Sequence, residues 1–433
     1  LDSVVAPEGP DPLKRSTFAA VRRALPALCG AGACSRPVEA LAQVVRRLGD
    51  RAAAVRVRTA RGARRVTIRG GDLVSILLAG DRNPVIRAET PGAVLAARRG
   101  DLAPLGRLAA RARGVRGAAL ADGGINAGRN VATICEEVPF PWRRGAGPRA
   151  RLAQARAAVA ALPLAVLRPF DRRTALRSSL VGLCLGWPTA SPAPPPPAAL
   201  PQGIPALLLA GEQDLRTPAE DAVAVAQRLG PAAQLLRVPD VGHSVLGADL
   251  SGCAEAALAA FLGGAPVAAC ERGRPLVEVP RTPPRSLRAV EPYRGVPGRA
   301  GRTLAATSRT VADAQRAMLS AGVEGDGPAV AGLHGGRAER TPAGLRLRRY
   351  SYVRGVTLSG TVPDRRGRAL RMIVGGRAAA KGRFTVSGGR VRGRLGGRRI
   401  DAATSPPAAR AASWGAPAIE PAPPPFPRLA RVG

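Results

Sequence analysis

Residues 204–218 read Ile204-Pro-Ala-Leu-Leu-Leu-Ala-Gly-Glu-Gln-Asp-Leu-Arg-Thr-Pro218, and residues 233–244 read Ala233-Gln-Leu-Leu-Arg-Val-Pro-Asp-Val-Gly-His-Ser244. The unbroken apolar text over 204–210 is that of a strand covered on both faces of a parallel sheet. Residues 233–238 read as a second strand. Between them Thr217 is placed to N-cap a helix, with Pro218 at its first position. That helix runs to Leu229 and stops at Gly230-Pro231. Cys253 to Leu262 reads as a last helix, closed by Gly263-Gly264. Strand, loop, helix, strand, loop and helix predict an α/β fold class with parallel strands.

Each of the two loops leaves the carboxyl edge of a strand, where open α/β sheets place their ligand sites. The first presents Asp214 and the second His243. A carboxylate that orients an imidazole, which then acts as general base, is two-thirds of a nucleophilic triad. Asp before His is the α/β-hydrolase order. A purely structural loop histidine is the competing reading of His243. His334, the only other histidine, sits beside Gly335-Gly336 with no acid-bearing strand ahead of it. Glu212 and Asp221 read as solvated charges.

Working outward, Leu1-Asp-Ser-Val-Val5 reads as a short buried strand. Residues 16–50 carry a helical pattern, 50–72 a hairpin, and 73–115 helices again, with Pro91 suited to a first turn. Residues 150–162 form an Ala-rich helix, and 191–197 a stiff polyproline connector. Residues 271–300 read as a Pro/Arg-rich linker and 300–322 as one more helix. From 343 to 400 short β-like runs alternate with glycine. Residues 402–433 are rich in Pro and Ala and read as disordered.

With 433 residues and 45% hydrophobic content, a sizeable core is available, but aromatics are only 3%, so Ala, Val and Leu must build it. No apolar run approaches the roughly 18 residues of a membrane span. The net charge is +36, and all but two of the 66 basic residues are arginine. Together with 52 Gly and 42 Pro, this is the output of GC-rich coding, so most of the charge reads as compositional. Neither base-stacking aromatics nor a reading motif is visible, so no specific nucleic-acid partner is expected. Residues 341–400 hold 16 basic residues against the single acid Asp364. That segment is a weak anionic-surface binder or a solvated β unit. The six cysteines form no CxxC, and with two histidines no metal site is expected. Their even number suits disulfides in an oxidising compartment, buried free thiols being the alternative. Cys29 and Cys34 could close a tight loop; the spacing leaves the other pairings open.

Residues 204–264 resemble the C-terminal region of the tripeptidyl-aminopeptidase-like α/β hydrolases, the peptidase S33 group of actinobacterial type. The resemblance rests on 205–218, Gly242-His-Ser244, Ser251-Gly-Cys253 and Phe261-Leu262. Upstream, Leu1-Asp-Ser-Val-Val5 resembles the strand after the nucleophile, and Cys135-Glu-Glu-Val-Pro-Phe-Pro-Trp142 and Cys184-Leu-Gly-Trp-Pro188 resemble segments flanking the cap. Over residues 1–270 the resemblance implies a partial α/β-hydrolase fold: C-terminal strands with a helical cap. It also implies a secreted exopeptidase or related acyl hydrolase that needs no cofactor and acts on a peptide or small acyl substrate. Asp214 would be its triad acid and His243 its base. The resemblance favours a Cys253–Cys270 staple. Glu136 and Glu137 could receive a free amino group, or be a plain surface pair. Trp142 and Trp187 line a substrate pocket or simply pack.

The sequence departs from that family in lacking the nucleophile elbow, the first strands of the sheet and the oxyanion-hole loop. No GxSxG elbow occurs, and Ser3, Ser178, Ser179 and Ser244 lack the glycines this strained turn requires. The expectation is the C-terminal part of a secreted or cell-envelope serine hydrolase, N-terminally truncated and without its serine. Loss of the nucleophile alone costs on the order of 10⁶-fold, so such a chain would be inactive alone. The expected organisation is 1–14 strand end and loop, 15–190 cap, 191–270 hydrolase core, 271–300 linker, 301–400 helix plus small Gly/Arg-rich β unit, and 401–433 tail. The competing function is a non-catalytic Arg-rich protein that binds an anionic polymer or nucleic acid.

Overall fold

The structure, a computed structural model, describes residues 1–6, 8–29, 34–121, 126–188, 203–273, 275, 277–323, 327–364 and 368–404, without the side chains of 50 and 115–121. The polyproline connector and the tail beyond 404 lie outside the described residues. The chain divides into two units, one of 1–55 with 66–282 and one of 56–65 with 283–433.

The first unit opens with helices α1 (Arg15–Cys29) and α2 (Pro37–Asp50) and a hairpin of β1 (Ala53–Thr59) and β2 (Gly62–Ile68), whose outer part belongs to the second unit. Helices α3 (Gly70–Gly80), α4 (Pro84–Arg98) and α5 (Ala103–Ala121) follow. Pro91 is not at a first turn: it lies buried inside α4. The stronger start signal comes earlier, where the Asn83 side chain accepts from the amides of Val85 and Ile86 and Pro84 supplies a preset φ. Helix α4 is buried along most of its length, so packing rather than an unbroken hydrogen-bond ladder sustains it.

Next come α6 (Ala127–Glu137), α7 (Pro148–Ala161), α8 (Leu164–Leu167), α9 (Arg172–Ser178) and α10 (Val181–Cys184). The chain then forms β3 (Ala206–Gly211), α11 (Ala219–Leu229), β4 (Ala233–Val238), α12 (Val245–Ala248) and α13 (Cys253–Leu262). Strands β3 and β4 pair in parallel from Ala206↔Ala233 to Gly211↔Val238. Residues 1–3 lie parallel on the other side of β3: Asp2 bridges Leu209, and the amide of Ser3 donates to the Leu209 carbonyl at 3.0 Å.

Strand β3 is apolar throughout because both of its faces are covered. Leu207 and Leu209 pack with Leu236, Val238, Val245 and Ala257 on one side. Leu208 and Ala210 pack with Ala222, Val225 and Leu229 of α11 on the other. Full burial of each such leucine is worth roughly 2 kcal/mol. Three disulfides, Cys29–Cys34, Cys135–Cys184 and Cys253–Cys270, use every cysteine.

In the second unit the helix α14 (Gly298–Val323) precedes an eight-stranded antiparallel meander: β5 (Ala329–Ala331), β6 (Gly335–Thr341), β7 (Gly344–Ser351), β8 (Thr357–Val362), β9 (Leu370–Gly375), β10 (Gly382–Ser387), β11 (Arg390–Leu395) and β12 (Arg398–Ala403). The sheet is larger than the small β unit expected from the sequence. The strands that went unread are β5, β6 and β12. Strand β6 offers only Ala338 as an apolar residue to the core, so no hydrophobic alternation marks it. On the covered face Tyr350 of β7 donates to the buried Asp313 carboxylate of α14 at 2.9 Å.

Candidate active site

Beyond β3 and β4 the two loops are tied backbone to backbone. The amide of Glu212 donates to Val238 at 3.1 Å and that of Gln213 to Val241 at 2.8 Å. The approach is close enough that a Cβ on Gly211 would lie 2.3 Å from the Gly242 carbonyl. A Cβ on Gly242 would lie 2.2 Å from the Asp81 carbonyl, so both positions require glycine.

Asp214 is fully buried. Its Oδ1 accepts from the amides of Arg216 at 2.8 Å and Thr217 at 2.9 Å, which fixes the carboxylate in an Asx-type turn. Its Oδ2 accepts the Thr217 hydroxyl at 2.7 Å and lies 3.1 Å from His243 Nδ1. Thr217 Oγ1 is itself 3.1 Å from that nitrogen. Burial pushes the Asp214 carboxyl up, but hydrogen bonds from His243 and Thr217 outweigh it and hold the group below the ordinary carboxylate value. An ionised acceptor facing Nδ1 assigns the ring proton to Nδ1 and leaves Nε2 as the free base. The imidazole keeps 26% of its side-chain surface exposed while its partner keeps none.

Thr217 does not N-cap α11: its hydroxyl goes to Asp214 and His243, and Pro218 occupies the cap position. The competing acceptor is the Asp214 carboxylate three residues before it, and the imidazole that shares this contact comes from a loop 26 residues away.

The turn that carries His243 is braced from two sides. From the α3–α4 turn, the Asp81 carbonyl accepts the His243 amide at 3.2 Å, and both Asp81 carboxylate oxygens lie 3.3 Å from the Leu215 amide. Burial, and next the charge of Asp214, push the Asp81 carboxyl well up. Arg87 of α4 donates to the Asp240 carbonyl at 2.7 Å. From the other side, Ser3 Oγ accepts the Ser244 amide at 3.0 Å, and the Asp2 carboxylate accepts from Val245 at 2.8 Å and Leu246 at 3.1 Å, capping α12. Asp240 and Ser244 stand at φ of 58° and 63°, a left-handed conformation that costs a non-glycine residue on the order of 1 kcal/mol and persists because these contacts hold it. Asp81, Asp2, Ser3 and Thr217 thus belong to the site, and none was singled out for it from sequence.

The remaining expected site residues form a separate cluster. Trp187 Nε1 donates to Glu136, and Arg144 pairs with the same carboxylate. Trp142 stacks on Phe140 with ring centroids 4.3 Å apart. Glu137 is exposed. The Cys135–Cys184 disulfide holds this cluster's two segments together. A cleft of about 690 Å³ is lined by Glu8, Asp11, Pro139, Pro141, Leu162 and Asp221. Burial, then the charges of Glu220 and Asp214, raise the Asp221 carboxyl to about 6. Among the described residues no group of three His, Cys, Asp or Glu side chains gathers as a metal site would require. No described helix is long and apolar enough to cross a membrane.

No curated protein matches the chain. Residues 169–269, a stretch that holds β3, β4, Asp214, Thr217 and His243, match an α/β-hydrolase family model described as TAP-like protein.

Proposed function

We propose that this chain supplies the acid–base relay of a serine α/β hydrolase, with Asp214 orienting His243 through Nδ1 and His243 Nε2 acting as general base. The observation that supports this best is the fully buried carboxylate, held below the ordinary value, 3.1 Å from Nδ1 of an imidazole that keeps part of its surface exposed. In the reaction, a serine hydroxyl loses its proton to Nε2 as its oxygen bonds to the acyl carbon. The resulting imidazolium, stabilised by Asp214, returns that proton to the leaving amine or alcohol. Water then attacks the acyl-serine with His243 as base again. The serine belongs to a segment outside residues 1–433, because no GxSxG stands within them. Residues 1–3, parallel beside β3, support reading them as the end of the strand that would follow such an elbow.

The substrate is a peptide amine end or small acyl compound, as in aminopeptidase-type S33 enzymes, and no cofactor takes part. Three disulfides support an oxidising, secreted or envelope location. The test is fluorophosphonate labelling of the protein as its gene encodes it, beside residues 1–433 alone. Labelling of a serine outside 1–433 that disappears in His243→Ala supports the proposal. Labelling that survives His243→Ala, or no labelled serine at all, overturns it.

A further inference from the structure

The antiparallel register of the second unit places two rows of side chains on the face of the sheet opposite its core. One row runs Glu339, Arg346, Thr361, Arg371, Thr385, Arg392 and Asp401 from β6 to β12. The neighbouring row runs Ser359, Ile373, Arg383, Arg394 and Arg399 from β8 to β12. All six arginines are exposed, whereas the alternate residues Leu370, Met372, Phe384, Val391, Leu395 and Ile400 are buried.

The acids stand only at the two ends, where nearby arginines, Arg392 of the first row among them, engage them. Glu339 pairs with Arg337 and Arg348, and Asp401 with Arg390 and Arg392. Arg346, Arg371, Arg383 and Arg394 have no salt-bridge partner among the described residues. Arg383 is directly opposite Arg394, and Arg394 directly opposite Arg399. Like charges placed opposite each other destabilise a sheet, so this alignment works against folding. Arginine-rich composition scatters charge over a surface; it does not account for a sheet face on which the acids sit only at the ends.

We propose that this face docks on a phospholipid surface bearing anionic headgroups. Strands about 4.8 Å apart, with alternate residues about 7 Å apart along each, spread the guanidinium groups over an area rather than along a line. A bilayer presents phosphates in that way, whereas a single nucleic-acid strand asks for a groove with stacking aromatics, and neither row holds an aromatic residue. Ile373, 66% exposed between Ser359 and Arg383, is an apolar side chain placed to enter the headgroup region. Thr361 and Thr385 add hydroxyl groups for phosphate oxygens. The proposal is independent of the relay at Asp214 and His243.

The experiment is co-sedimentation of the full chain with vesicles of phosphatidylcholine alone, or of phosphatidylcholine mixed with phosphatidylglycerol, at low salt. Binding is expected only to the mixed vesicles, falling as salt is raised. R383S/R394S/R399S should lower the partition coefficient on the order of 100-fold, at roughly five-fold per arginine. R383K/R394K/R399K should retain most of the binding, and I373S should weaken it. R82S/R149S/R156S, with the same loss of charge elsewhere, should change it by less than about three-fold. An equal loss in that control reduces the effect to net charge and overturns the proposal. So does unchanged vesicle binding by the face variant, or a face variant that loses only duplex-DNA retention.

Discussion

Asp214 Oδ2 stands 3.1 Å from His243 Nδ1, and Thr217 Oγ1 donates to the same carboxylate oxygen at 2.7 Å. Three side chains from two loops therefore share one buried oxygen, and the consequences of disturbing it can be ranked. Thr217→Val keeps the volume and removes the hydroxyl, leaving Asp214 one donor short. We expect a loss of about 1–2 kcal/mol in urea unfolding of the chain, with Thr217→Ser recovering most of it. Asp214→Ala removes the acceptor for two amides, a hydroxyl and the imidazole at once, and should cost about 3–5 kcal/mol. If Asp214→Ala unfolds no more easily than Thr217→Val, the shared-oxygen description is wrong.

Gly242→Ala tests the closeness of the two loops to the α3–α4 turn. A methyl group there meets the Asp81 carbonyl, which is backbone and does not swing aside. We expect about 2–3 kcal/mol of destabilisation, read from the midpoint of thermal or denaturant unfolding. Gly247→Ala, with open space around its Cβ position, is the matched control and should lie within about 0.5 kcal/mol of wild type.

The Asp221 carboxyl gives the chain a pH dependence of defined sign. Its folded-state value of about 6 is raised from 3.8 by burial and by the charges of Glu220 and Asp214. The folded state therefore holds a proton that the unfolded state releases, and the stability tied to it is full below the unfolded value and lost as pH rises through about 6. Asp221→Asn should stabilise the chain by about 1 kcal/mol at pH well above 6, after allowance for solvent screening of a half-buried group, and by almost nothing near pH 4. Stability curves of the two proteins that run parallel across this range would contradict the assignment.

Reduction should be felt chiefly through the longer loops. Cys135–Cys184 spans 49 residues and Cys253–Cys270 spans 17, against 5 for Cys29–Cys34. On chain-entropy grounds the first two are each worth about 3–4 kcal/mol. Cys135→Ser/Cys184→Ser should lower the unfolding midpoint clearly more than Cys29→Ser/Cys34→Ser, measured by circular dichroism without reductant.

The αβ alternation over 204–262 was legible because β3 is covered on both faces and so reads as continuous apolar text, with Gly230-Pro231 and Gly263-Gly264 as unambiguous stops. The positions of Asp214 and His243 at the ends of neighbouring strands follow from it. What could not be read was anything contributed from a distance. Thr217 looked like a helix cap because its local neighbours favour one, while its hydroxyl donates to the Asp214 carboxylate, which the imidazole of another loop also engages. Asp81 lies in the stretch 73–115 that reads only as helical, and nothing near it in sequence announces Leu215 or His243 as partners. Strand β6 was hidden by its outward arginines and glycines, whose pairing with β7 becomes visible only in the register.

The brackets on the His243 turn decide how the relay can be handled as a piece of engineering. Its hydrogen-bond partners include Asp2 and Ser3 at one end of the unit and Asp81 more than a hundred residues before Asp214. The contiguous stretch from Ile204 to Leu262, although it holds all three polar groups of the triangle, is consequently not a transplantable cassette. Grafted onto a foreign scaffold it would carry the letters of the relay without the clamps that give them their spacing.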